Sequence, residues 1–133
     1  MLGHTWRLRA TNTQNQSITV TVRARYWKFD STGALSWSSE QTLLSGVSIA
    51  ASGGTSVSTT IDNSVDKYVG MSILVTCTAA AATNGSGAVT LSVERSTDAG
   101  TTWPTAGQGE IIGGYTVTAA DSTNARLKNL LVG

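Results

Sequence analysis

The stretch ITVTVRARYWKF, Ile18–Phe29, decides how this chain folds. Ile18, Val20, Val22, Ala24 and Tyr26 fall on one parity. Thr19, Thr21, Arg23, Arg25, Trp27 and Phe29 fall on the other. Alternation with period two marks a strand with one buried and one wet face. The polar parity turns aromatic at its end. That requires either a bulge near Tyr26 and Trp27 that swaps the faces or a cover over the aromatic end. DSTG (residues 30–33) then forms a hairpin turn, with Gly33 supplying a positive φ, and Leu35 and Trp37 open the return strand.

The same grammar runs outward in both directions. Trp6, Leu8 and Ala10 alternate with Thr5, Arg7 and Arg9, predicting a first strand. Leu43, Leu44, Val47 and Ile49 predict a strand bent at Gly46, and Val57, Thr59 and Ile61 another. DNSVD (residues 62–66) reads as a turn or a single helical turn. Residues 67–79 give a core strand with Val69, Met71, Ile73, Val75 and Cys77 on one face. An Asn-Gly turn signal lies in AAAATNGSG, residues 89–95 follow as a strand, and residues 115–119 and 126–132 close the chain. Roughly eight to ten short strands at this spacing predict an all-β antiparallel sandwich, immunoglobulin-like or jelly-roll. No repeat or linker divides residues 1–133, so one domain is expected.

Composition agrees. The 133 residues hold fourteen Gly and one Pro, with 40% apolar and only 13% charged residues. Ser and Thr supply roughly a quarter of the chain. A net charge of +1 creates no global field toward nucleic acid or membrane, and no stretch approaches the ~20 apolar residues of a spanning helix. The opening MLGHTWRLRA lacks the apolar core of a signal peptide, so the domain is expected to start near Met1. A single cysteine, Cys77, excludes an intrachain disulfide and suits a reducing compartment.

Residues 96–103, STDAGTTW, match the Asp-box pattern S-x-D-x-G-x-T-W at each fixed position. This pattern is a hairpin turn seen in sialidases and other β proteins, and the resemblance implies architecture away from any catalytic centre. Asp98 can accept from N–H groups of its own turn. Gly100 supplies the left-handed residue, Ser96 can bond across the hairpin mouth, and Trp103 on the returning strand can cover the turn. One motif in 133 residues cannot make a propeller. VERSTDAGTTWP together with WRLRATNTQNQSITVTVRARYWKFDSTGAL, in a short Ser/Thr/Gly-rich β domain, resembles small virion proteins of tailed bacteriophages. That resemblance implies a non-enzymatic structural protein located in the virion and assembled in the host bacterial cytoplasm. Its expected role is capsid decoration, stabilising or covering subunit junctions of the major capsid protein. A tail or fibre component is the alternative.

The residues select no catalytic set, cofactor or metal site. His4 and Cys77 are each the sole member of their type. A buried inert thiol is the expectation for Cys77, and no serine elbow accompanies His4. Zinc lacks ligands. Asp62, Asn63 and Asp66 read as turn caps before they read as a calcium site, and Glu94 with Asp98 makes no selected glycosidase pair. The sharper constellation is Arg23, Arg25, Trp27 and Phe29 on one face, with Arg7 and Arg9 as a similar pair. If the two strands are neighbours, these form one arginine–aromatic surface, a candidate subunit contact with another virion protein or a second copy of the chain. A nucleic-acid platform is disfavoured by the net charge. Trp6, Trp37, Trp103, Tyr68 and Tyr115 leave a glycan-binding platform as a further alternative.

Overall fold

The computed structural model describes residues 4–79, 89–115 and 126–132. Ten strands follow in chain order: β1 (Thr5–Asn12), β2 (Ile18–Phe29), β3 (Leu35–Trp37), β4 (Gln41–Ile49), β5 (Gly54–Val57), β6 (Ile61–Asp62), β7 (Gly70–Ala79), β8 (Val89–Ser96), β9 (Glu110–Tyr115) and β10 (Arg126–Val132). They form two antiparallel sheets. The first runs β5-β1-β8-β9, with β6 also on β1; the second runs β10-β7-β2-β3, with β4 also on β2. No helix occurs among the described residues. The chain is an all-β sandwich.

Period-two alternation generates the core. Trp6, Leu8 and Ala10 of β1 and Val89, Leu91 and Val93 of β8 face Ile18, Val20, Val22 and Ala24 of β2 and Met71, Ile73, Val75 and Cys77 of β7. All are buried. Trp6 meets Tyr26 across the sheets edge-to-face, ring centres 5.8 Å apart, a favourable geometry for two quadrupoles.

Of the two alternatives for the aromatic end of β2, the bulge near Tyr26 and Trp27 is absent. The β2–β7 ladder runs unbroken from Ile18↔Ala79 to Trp27↔Gly70. The register shifts fall instead on the other edge of β2, against β4 between Val20 and Arg23. Gly46 provides the expected bend in β4, at φ 57°. The strand expected through Val57, Thr59 and Ile61 breaks in two. Ser58 turns inward, accepting from Leu8 N through Oγ at 2.9 Å and donating its own N–H to Leu8 O at 2.8 Å. A buried polar side chain thus replaces one rung, and Val57 points outward. The core strand expected from residue 67 begins at Gly70, because Lys67 takes a positive φ of 55° in the preceding turn. The Asn-Gly signal and residues 116–119 lie outside the described residues.

The parity of β7 makes a direct prediction. Ile73→Ala, at the enclosed position, should cost about 2–5 kcal/mol in chemical denaturation. Leu74→Ala, one residue on and facing outward, should cost about 1 kcal/mol or less.

Candidate functional site

Two outer faces carry the groups singled out in the sequence, and they lie on opposite sides of the sandwich. β1 and β2 belong to different sheets, so Arg7 and Arg9 do not share a surface with Arg23 and Arg25.

On the β1–β8 face the ionic groups are mutually satisfied. Glu94, cross-strand from Arg7, is fully buried. Its Oε1 accepts from Arg7 Nε at 2.7 Å and its Oε2 from Arg9 Nε at 2.8 Å. Arg9 also reaches Thr55 Oγ1 at 2.8 Å. Burial pushes the Glu94 carboxyl up, but the hydrogen bonds and charges of Arg9 and Arg7 outweigh it and hold the group below the ordinary carboxylate range. Gly109 closes the site from above, and a β-carbon there would stand 3.0 Å from Glu94 Cγ.

The turn at residues 96–103 packs on this cluster. Asp98 Oδ1 accepts from Thr102 N at 2.8 Å and Ser96 Oγ at 2.7 Å, and Ser96 Oγ accepts from Gly100 N at 2.9 Å. Gly100 has a φ of 91°. Trp103 Nε1 donates to Gly100 O at 3.1 Å, and the Arg7 guanidinium lies 4.3 Å from the Trp103 ring centre, a cation–π contact. Ser96 closes the turn internally rather than across a hairpin mouth. Trp103 lies in a loop rather than on a returning strand, since β9 starts at Glu110. The hydrogen bonds from Thr102 and Ser96 hold the Asp98 carboxyl down at about 2.

The β2–β3 side is open. Trp27 pairs with Trp37 and Phe29 with Leu35, so all four side chains stand on one outer face. Phe29 is 61% exposed, Leu35 52% and Trp37 42%. Trp27 and Phe29 meet edge-to-face at 5.9 Å, while Trp27 Nε1 is buried without an acceptor among the described residues. The hairpin tip beneath them is rigidly tied, with Asp30 Oδ1 accepting from Thr32 N, Thr32 Oγ1 and Ala34 N at 2.8, 2.6 and 3.0 Å. Arg25 Nε donates to Ser38 O at 2.9 Å, and its guanidinium stands 5.9 Å from the Trp37 ring centre. The structure thus brings Arg23, Arg25, Trp27 and Phe29 together. It adds Leu35 and Trp37, whose pairing partners the β3 hairpin determines.

The remaining candidates disperse. Trp6 is in the core, Trp103 on the β1–β8 side and Trp37 on the opposite face, so these three form no common platform. The Tyr115 side chain lies outside the described residues. Cys77 is buried. Asp62 Oδ1 accepts from Ser64 N at 2.9 Å, and the Asn63 side chain bridges Tyr68 N and O at 2.8 and 2.9 Å, which are turn-capping roles. A cavity of about 260 Å³ at this end is lined by residues including Tyr26, Gln41, Asp62 and Tyr68. Burial and the neighbouring Tyr68 push the Tyr26 phenol up to about 12. No cluster of three metal-ligating side chains occurs among the described residues. No protein-family model matches the chain, and comparison with curated proteins and with solved structures returns no match.

The two outer-face carboxylates make separate predictions. Glu94→Gln leaves two guanidinium groups sharing a neutral amide and should cost about 3 kcal/mol in chemical denaturation. Asp98 has a folded-state pKa below its ordinary 3.8, so its stabilisation is full above that value and is lost as pH falls toward about 2. Asp98→Asn should therefore lower the melting temperature at neutral pH, and the difference from the parent should shrink steadily as pH falls from about 4 through about 2.

Proposed function

We propose that this chain is a non-enzymatic structural subunit of a bacteriophage virion, a capsid decoration protein that seats on the major capsid protein through the outer face of β2 and β3. One observation carries the reading: Trp27, Phe29, Leu35 and Trp37 form an apolar row on a tied hairpin, flanked by Arg23 and Arg25. A soluble domain gains nothing from holding Phe and Trp rings in water unless something covers them. Aromatics beside arginine are the composition of interface hot spots. The resemblance of the sequence to phage virion proteins supplies the setting. The Ser/Thr-rich remainder offers neutral donors and acceptors for a wet rim.

The test is mass spectrometry of purified virions separated into heads and tails, paired with co-sedimentation of the chain with heads. The chain should partition with heads. Phe29→Ser combined with Leu35→Ser should weaken co-sedimentation at least about 30-fold, the loss of one hot spot, with an unchanged melting temperature. Recovery in tails would move the subunit to the tail. Absence from virions, or undiminished binding of the double variant, would overturn the proposal.

A further inference from the structure

The two outer faces hold the same arrangement of arginines in two states of completion. On β1, Arg7 and Arg9 stand two residues apart, roughly 7 Å along the strand, and Glu94 from the neighbouring strand β8 fills the space between them. On β2, Arg23 and Arg25 stand at the same spacing. Their neighbours on β7 are Leu74 and Ser72, neither of which carries a carboxylate. A groove of about 290 Å³ opens there, lined by Arg23, Arg25, Trp37, Glu40, Ser72 and Leu74. Among the described residues, Glu40 is the one carboxylate lining it, 3.9 Å from Arg23 Nε and half-exposed. At that distance it is no hydrogen bond, and in solvent such a pair holds weakly.

We propose that this groove receives an aspartate or glutamate side chain from a protein partner, the carboxylate bridging the Arg23 guanidinium and the terminal N–H groups of Arg25, where on the other face Glu94 bridges the Nε atoms of Arg7 and Arg9. An apolar neighbour of that acidic residue would rest on Trp37 and Leu74. The guanidinium fork matches a carboxylate in two-point contact. Arg25 is already oriented, because its Nε is committed to Ser38 O and less freedom is lost on binding. Glu40 competes for Arg23 and yields to a better-placed carboxylate. The inference rests on the reading of this face as a docking surface and names the chemistry of what docks.

The test is titration of the folded, isotope-labelled chain with the peptide acetyl-Gly-Glu-Leu-Glu-Gly-amide, following arginine Nε–H and tryptophan indole N–H resonances by NMR. Arg23, Arg25 and Trp37 should shift. The peptide with Gln in place of both Glu should bind about tenfold more weakly, as should Arg23→Ala or Arg25→Ala against the Glu peptide, each losing one charge-assisted pair. Glu40→Gln should tighten binding a few-fold. Equal binding of the Gln peptide, or shifts confined to Arg7, Arg9 or Lys28, would overturn the proposal. So would tighter binding of an oligothymidylate, which would reassign the groove to a phosphate backbone. Co-sedimentation separates the two readings. If Arg25→Ala binds heads like the parent while the Phe29 and Leu35 double variant does not, the acidic contact falls and the docking face stands. If the chain is absent from virions but selects the Glu peptide through Arg23 and Arg25, the virion reading falls and the acidic docking contact stands.

Discussion

The ladder between β2 and β7 is the constraint on which the rest of the molecule depends. Its ten consecutive pairs hold without a shift. Parity set at Ile18 is therefore still in force at Trp27. The same regularity that buries Val20, Val22 and Ala24 obliges Arg23, Arg25 and Trp27 to face outward. A single bulge at Tyr26 would have returned Trp27 to the core and left a plain polar face. The exposed aromatic row is thus a consequence of strand regularity. It persists because β3 pairs on the edge of β2 opposite β7 and places Trp37 and Leu35 beside it.

Much of this was legible from side-chain alternation, since period two is a local property. The inward sets of β1, β2 and β7 could be named residue by residue. What escaped depends on contacts distant in sequence. Glu94 falls on the polar parity of β8, and in the sequence it figures only beside Asp98 as an unselected carboxylate pair. It is buried because Arg7, Arg9 and Gly109 close over it, and no local pattern announces which segment will cover a face. Ser58 escaped for the same reason. Its inward turn exists to satisfy the Leu8 backbone, a partner fifty residues away. The sheet assignment of β1 and β2 is likewise non-local, and it decides that the two arginine pairs sit apart. For the candidate site, Arg23, Arg25, Trp27 and Phe29 were readable on one strand. Leu35 and Trp37 join them only once the hairpin register is known.

Polar side chains hold the ends of the sandwich where ladders stop. Asn12 is buried at the end of β1 and donates to Gln16 O at 2.8 Å and Ile49 O at 3.1 Å while accepting from Gln14 N at 2.9 Å. It ties the β1–β2 turn to the end of β4. Asn63 does the same for the turn before β7, and Asp30 and Asp98 for their own turns. Each satisfies backbone groups that would otherwise be stranded as strands diverge. Low charge and high Ser, Thr and Asx content are therefore tied to architecture, with these small side chains serving as turn closures.

The contrast between the two outer faces follows from this economy of charge. Where a carboxylate, two arginines and a covering loop coincide, the face is complete and its charges have no further use. Where the same arginine spacing meets Leu74 and Ser72, the guanidinium groups border a groove instead of a buried partner. Packing alone gives no reason to leave rings and guanidinium groups together in water on one side while enclosing them on the other. The asymmetry makes sense if the second face is completed from outside, by a surface that contributes the carboxylate and the apolar cover that β8 and the residue 97–109 loop provide on the first.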